Sequence, residues 1–168
     1  LSFFLSTKFL PPIAALLPLY LIFKNLHLLD NIWALGVLYI TMNMPLTVWM
    51  LRSFLKEIPS ELVEAAELDG ASLTQILFRV LAPVSLPGIA ATALISFIFT
   101  WNEFLMAINL TGFHAATGPV YLVSFITAEG LFFAHLAAVS IVVSLPVVIA
   151  GWVAQDKLVR GLSLGAVK

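Results

Sequence analysis

The sequence predicts an all-α membrane protein, a polytopic helical bundle, and three observations lead to that prediction. Of its 168 residues, 61% are hydrophobic and only 10% are charged, whereas soluble domains carry about 25% charged residues. The mean hydropathy is +1.07. The uncharged stretches are also too long for barrel strands, which need about 9–11 residues each. In lipid, segments of this kind must satisfy their backbone polar groups within helices.

Charged residues divide the chain into about four predicted spans. Each is close to the ~20 residues that cross the hydrocarbon core of a bilayer. The four tryptophans fall near span ends, where an interfacial aromatic belt would lie. The predicted spans are residues 3–23, 31–52, 86–108 and 131–154.

Lysine and arginine indicate the orientation of these spans. With an even number of spans, both ends of the chain lie on one side of the membrane, and Lys24 is then the one basic residue on the other side. Positive charge marks the cytoplasmic side. We therefore expect both chain ends to be cytoplasmic, together with the loop 57–82 and the tail 156–168. The loops 24–30 and 111–129 are expected outside.

The composition also excludes several classes of function. The net charge is −1, which leaves no electrostatic footprint for a nucleic acid. The absence of cysteine excludes disulfides, thiolate nucleophiles and thiolate metal sites. We predict no catalytic residue, no metal ligand and no cofactor in this chain. A rival intramembrane enzyme that uses Ser124 and His135 would lack both a nucleophile elbow and an orienting acid.

The loop 57–82 carries most of the local information. Five of the nine acidic residues lie in its first half. We predict a helix over 61–68 that Ser60 caps and Gly70 stops. A second short helix starts at the capping-box spacing Ser72-Leu-Thr-Gln75. An anionic inner leaflet repels acidic residues, so this helix pair is better suited to a protein partner than to the membrane surface.

Three motifs along the chain share one resemblance. They are the loop motif Glu64-Ala65-Ala66 with Asp69-Gly70, the segment Phe97–Phe104 and the tail Leu158–Lys168. They resemble the EAA loop, the following span and the C-terminal tail of permease subunits in binding-protein-dependent sugar importers of the ATP-binding-cassette (ABC) class. The resemblance covers essentially the whole chain. It is closest to the smaller permease subunit of the maltose and multiple-sugar type.

This resemblance implies a function and a set of partners. The loop would form a coupling helix that docks on an ATP-binding-cassette ATPase dimer through Glu64, Ala65, Ala66, Asp69 and Gly70. The chain would pair with a second permease subunit in the prokaryotic plasma (inner) membrane. An extracytoplasmic sugar-binding protein would deliver the sugar, and ATP hydrolysis would take place on the separate ATPase subunit.

Four residues within the spans are candidates for the translocation path, namely Asn43, Trp101, Asn102 and Glu103. An acidic residue within a span is costly and is a functional candidate for that reason. Glu103 either lines the sugar path or extends to the outer headgroups. Asn43 either bonds a neighbouring helix or faces the path.

Subunits of the resembled type have more spans than this chain. We therefore expect the first spans of the subunit to precede residue 1, and we expect the chain to fold poorly without them. A secondary transporter, which needs no ATPase, is the rival interpretation of a membrane transport protein. It leaves the acidic loop without a role, and inverted repeats are not evident in the sequence.

Overall fold

The computed structural model describes residues 11–127 and 130–164, with side chains described as far as residue 155. The described chain is predominantly helical, which confirms the predicted fold class. It divides into two compact units. Of the described residues, one unit contains 11–45, 97–127 and 130–150, and the other contains Leu46–Ser96 and 151–164.

The elements follow one another along the chain with short connections. In chain order they are α1 (Pro12–Asn25), α2 (Ile32–Lys56), α3 (Ser60–Leu68), α4 (Leu73–Gln75), a π-helical turn π1 (Ile76–Leu81), α5 (Ala82–Val84), α6 (Leu86–Trp101), α7 (Leu105–Leu110), α8 (Gly118–Val123), β1 (Ile126–Thr127), β2 (Gly130–Leu131) and α9 (Phe133–Leu164).

The short helix α7 lies at the centre of the first unit. Its side chains Met106, Ala107 and Leu110 are buried and belong to one apolar cluster with residues of α1 and α2, among them Phe23 and Leu35. α1 also packs directly against α7. These contacts fix α7 against the α1–α2 pair.

Among residues 11–127 and 130–164, two helices are long and apolar enough to cross a membrane, α2 and the Phe133–Gln155 part of α9. The helical stretches Leu73–Val84 and Leu86–Trp101 pass the same test only as a pair, and they are bent by 76° at their junction. α1 is apolar but contains 14 residues. The count of four spans and their boundaries therefore stay predictions.

Two predicted segments differ in detail from the structure. The apolar segment 86–108 is interrupted, since α6 ends at Trp101 and α7 begins at Leu105. The predicted outer loop 111–129 contains α8 and the strand β1, which pairs with β2 as an antiparallel hairpin. The physical reason for the interruption is a carboxylate that caps α7.

Candidate functional site

The helix α3 of the loop 57–82 ends at Leu68, and Gly70 forms the turn after it, as the sequence predicts. Gly70 has a φ of 75°, a conformation that glycine adopts at little cost. The Gly70 N–H donates to the Glu67 carbonyl over 3.0 Å, and the Ala71 N–H donates to the Ala66 carbonyl over 3.0 Å. These two bonds form a Schellman motif, which satisfies the last carbonyls of the helix.

The start of α3 corrects one prediction and the start of α4 confirms another. Ser60 is the first helical residue instead of the cap, Pro59 holds the cap position, and no side chain caps the helix. Glu61 in the first turn supplies the favourable negative charge there. The predicted capping box is present, with the Ser72 N–H donating to Gln75 Oε1 over 2.8 Å.

Most of the predicted coupling residues lie on one exposed stretch. Glu64 and Ala65 are exposed on α3, Asp69 and Gly70 are exposed at its end, and Ala66 is half-buried. α3 packs against π1. The structure therefore places these residues together at the surface of the second unit.

Large apolar side chains lie exposed close to these residues in the chain. Leu68 is 89% exposed, Leu73 is 82% exposed and Phe78 is 71% exposed. Exposed apolar groups beside polar ones mark protein or membrane interaction sites. Because α3 is also acidic, the chemistry of this surface favours a protein partner that offers both apolar and basic groups.

A second group of polar residues lies at the break between α6 and α7. Glu103 Oε1 accepts the Met106 N–H over 2.9 Å, and Oε2 accepts the Ala107 N–H over 3.1 Å. Oε2 also accepts the Tyr39 hydroxyl over 2.8 Å. A carboxylate in this position stabilises the amino end of a helix. Glu103 therefore starts a new helix within the apolar segment and links it to α2.

The other polar residues of this break make bonds to neighbouring helices. Asn43 Nδ2 donates to Thr100 Oγ1 over 3.0 Å, which is the helix-bonding alternative predicted for Asn43. Trp101 Nε1 donates to the Val143 carbonyl of α9 over 2.9 Å. Buried polar groups in membranes are held by such interhelical bonds. Contact of these residues with a sugar stays a prediction.

Asn102 differs from the other three path candidates. Its side chain is exposed, and Nδ2 donates to the Ile98 carbonyl of its own helix over 2.9 Å. Oδ1 accepts no hydrogen bond within the part of the chain that the structure describes. Asn102 is therefore the one candidate among these four that combines an exposed side chain with a free acceptor oxygen.

The sequence analysis missed Asp30, which connects two predicted outer loops. Asp30 Oδ1 accepts the N–H groups of Gly112 over 2.7 Å and Ala115 over 2.8 Å, and Oδ2 accepts that of His114 over 3.1 Å. The adjacent pair Asp30-Asn31 was the signal in the sequence that could have indicated this role. Asn31 alone caps α2 by accepting the N–H groups of its first turn, which leaves Asp30 free for another role.

These bonds lower the pKa of the Asp30 carboxyl from its ordinary value of 3.8. The largest causes are the backbone N–H groups of Gly112 and His114, because each stabilises the ionised form. Asp30 itself has a φ of 55°. A side chain at position 112 would bring its Cβ to 3.2 Å from Asp30 Oδ2, so the glycine there lies close to the carboxylate. The charged carboxylate therefore holds the start of the loop 111–129 in close contact.

The described residues give no support to an enzyme site. They contain no group of three or more potential metal-binding side chains. Ser124 Oγ donates to the Tyr121 carbonyl over 2.7 Å. The His135 ring stacks on Phe125 with centroids 6.1 Å apart. Ser124 and His135 are thus not paired as nucleophile and base.

Comparison with known proteins gives consistent relatives. An ABC transporter permease protein of Sinorhizobium fredii is 38% identical over 164 residues, which is 98% of this chain and 59% of the relative. The trehalose transport system permease protein SugB of Mycobacterium tuberculosis is 37% identical over 94% of this chain and 59% of its own length. The trehalose/maltose transport system permease protein MalG of Thermococcus litoralis is 33% identical over 99% of this chain and 60% of its own length.

The chain spans about three fifths of the length of these relatives. Residues 1–160 match the family described as "Binding-protein-dependent transport system inner membrane component". This match confirms the predicted resemblance and the prediction of a transport subunit instead of an enzyme. The chain belongs to the family of inner membrane components of binding-protein-dependent transport systems.

Proposed function

We propose that the chain is part of the membrane-spanning subunit of an ATP-driven sugar importer. In this proposal the loop 57–82 docks on an ATPase subunit and transmits its closure to the membrane helices. The names of the relatives, which include trehalose and maltose transport permeases, support a sugar as the solute. A second permease subunit, an ATPase dimer and an external binding protein are the expected partners.

The observation that carries this proposal is the exposed surface of α3. Glu64 and Ala65 lie exposed on a helix whose end is fixed by the Gly70 turn. An exposed acidic residue gains only about 0–1 kcal/mol from a surface ion pair, so it has no evident role in stabilising the chain itself. A small side chain beside it permits close approach of a partner. These properties support docking into a cleft with a basic group.

The loop is also well placed to transmit motion. It connects the end of α2 with the start of α6, and a built Cβ on Gly88 of α6 falls 2.3 Å from the Phe54 ring of α2. The absence of a side chain at Gly88 therefore permits α2 and α6, the helices before and after the loop, to pack closely against each other. A displacement of α3 is expected to reach both helices, because packed interfaces transmit strain.

Disulfide or bifunctional crosslinking of the assembled, full-length complex tests the proposal. Ala65→Cys places a single thiol on the exposed part of α3, and Phe113→Cys, on an exposed residue of the predicted outer loop, is the control. We expect the Ala65→Cys variant to crosslink to the ATPase with a yield that changes on ATP addition, and the Phe113→Cys variant to give no crosslink to the ATPase. Free reaction of the Ala65→Cys thiol with a soluble maleimide in the complex, without any crosslink, would contradict the proposal and favour a secondary transporter.

A second experiment tests on which side of the membrane the coupling loop lies. Phe113 in the predicted outer loop is 95% exposed, so Phe113→Cys provides the opposite reporter. In sealed right-side-out vesicles, an impermeant maleimide should label the Phe113→Cys variant and leave the Ala65→Cys variant unlabelled. The reverse pattern would contradict the cytoplasmic assignment of the coupling loop.

A further inference from the structure

One hydroxyl group of α2 holds the break between α6 and α7. Tyr39 is buried, and its hydroxyl donates to Glu103 Oε2 over 2.8 Å. The same carboxylate accepts the N–H groups of Met106 and Ala107 in the first turn of α7. All four residues belong to one compact unit. A single carboxylate therefore satisfies two backbone donors of α7 and one side-chain donor of α2.

These three bonds leave Glu103 little capacity to bind a solute. A carboxylate offers about four lone-pair sites in total. A sugar hydroxyl that displaced any of the three donors would leave a buried N–H or O–H unpaired, which costs stability. In a bilayer no water replaces the lost partner. Glu103 is therefore better suited to fixing the helix break than to binding sugar.

The neighbouring Asn102 has the opposite properties. It is exposed, and its Oδ1 accepts no hydrogen bond from the described residues. An exposed amide is poorly accommodated by lipid tails, so such groups face protein or a polar cavity. Helices that are broken within the membrane form the solute sites of many transporters, because polar groups are free at the break.

We propose that Tyr39 and Glu103 are positioning residues for transport, which fix the helix break that presents Asn102 to the sugar. The Tyr39 hydroxyl keeps the Glu103 carboxylate at the amino end of α7. The position of Asn102 relative to α2 follows from that bond. This inference rests on the proposed function, and it assigns to Glu103 a role different from direct contact with the solute.

Tyr39→Phe is the most direct perturbation, because it removes one hydroxyl and keeps the ring. Tyr20→Phe is the matched control. Tyr20 lies exposed on α1, and its hydroxyl makes no hydrogen bond within the described part of the chain. Glu103→Gln is the second perturbation, since an amide cannot accept all three donors. The double variant tests whether Tyr39 acts through Glu103.

The first measurement is the reactivity of a thiol at position 102 in the full-length complex that carries Asn102→Cys, with any cysteine outside this chain replaced. An impermeant maleimide is added with Tyr39 intact or replaced. We expect Tyr39→Phe to change the labelling rate about tenfold, the equivalent of about 1.4 kcal/mol. The double variant should change the labelling rate only slightly more than Glu103→Gln does alone. The control Tyr20→Phe should leave the labelling rate unchanged. An unchanged rate in Tyr39→Phe would overturn the inference.

The second measurement is the amount of sugar taken up per ATP hydrolysed in proteoliposomes, with radiolabelled trehalose and maltose as probes. We expect Tyr39→Phe and Glu103→Gln to lower this ratio, and Asn102→Ala to raise the sugar concentration for half-maximal uptake. If Tyr39→Phe lowered only the amount of complex, uptake and hydrolysis would fall together, and the unchanged ratio would overturn the positioning role. Absence of ATP-driven uptake of any sugar by the unmodified complex, across a panel of mono- and disaccharides, would instead refute the proposed function, while the labelling result would still report on the break.

Discussion

The packing of Gly88 against Phe54 leads to a quantitative prediction for Gly88→Ala. A Cβ built on Gly88 falls 2.3 Å from Phe54 Cγ, 2.7 Å from Cδ2 and 2.8 Å from Cβ. Carbon atoms in contact lie about 3.5–4.0 Å apart. The methyl group therefore overlaps the ring by about 1.2 Å and the Phe54 Cβ by about 0.7 Å.

The neighbouring cavity decides how much of this overlap can be relieved. Phe54, Ser85 and Gly88 line a cavity of about 250 Å³, so the Phe54 ring has space into which it can rotate. The overlap with the Phe54 Cβ is different, because that atom is fixed to the backbone of α2. Its relief requires a shift of one helix, and overpacking of this kind costs about 1–3 kcal/mol. We therefore expect Gly88→Ala to destabilise the assembled complex by about that amount.

The assay is the fraction of full-length complex that stays assembled after heating, read by size-exclusion chromatography. Gly36→Ala on α2 is the matched control, since a built Cβ there has no neighbour within 4 Å. It should be neutral or stabilising by up to about 1 kcal/mol, because alanine is the better helix former. In the background of Phe54→Ala, Gly88→Ala should cost less than it does alone. A Gly88→Ala complex as stable as Gly36→Ala would refute the close packing of α2 and α6.

Two regions of the chain give the remaining predictions. Asp30→Asn should speed amide hydrogen exchange at residues 112–115, because it replaces one carboxylate oxygen by an N–H₂ group, which cannot accept the His114 N–H. The control Asp69→Asn should leave exchange there unchanged. Because the pKa of Asp30 is lowered in the folded chain, its contribution to the stability of the loop contact is complete above the ordinary value of 3.8. That contribution is lost as the pH falls from 3.8 through the lowered folded pKa. Opening of this loop contact at neutral pH would contradict the assignment. Gly70→Ala should cost roughly 1–2 kcal/mol because its φ is 75°, and Gly70→Asn should cost less, as thermal stability of the complex would report.

Local signals allowed the end of α3 and the start of α4 to be predicted. Gly70 and the Ser72–Gln75 box act within a few residues of the chain, so their spacing alone indicates the turn and the cap. The Ser60 prediction was wrong because Pro59 also suits the position before a helix. Its fixed backbone conformation starts α3 without a side-chain cap.

The contacts of Glu103 and Asp30 could not be predicted in the same way. Tyr39 is separated from Glu103 by 64 residues, and Asp30 from Gly112 by 82 residues. Nothing in the local sequence indicates which distant group will meet a given carboxylate. The break after Trp101 was missed for another reason. Glu103 is the only charged residue of the segment 86–108, and its cap acts on the N–H groups three and four residues later. Because the whole segment has the length and the apolar composition of one span, the prediction gave this local signal less weight than the hydropathy.

The π-helical turn π1 lets the chain before α6 hold one extra residue without a change of phase. Such a turn bonds each N–H to the carbonyl five residues earlier, so it contains one residue more than an α-helical turn needs. Removal of one residue from Ile76–Leu81 would therefore allow an ordinary α-helix to form, with the segments on either side in nearly the same orientation. In an uninterrupted α-helix, the same deletion would turn everything before it by about 100°. A single-residue deletion at π1 is thus the length change that leaves the direction of α3 nearly unaltered.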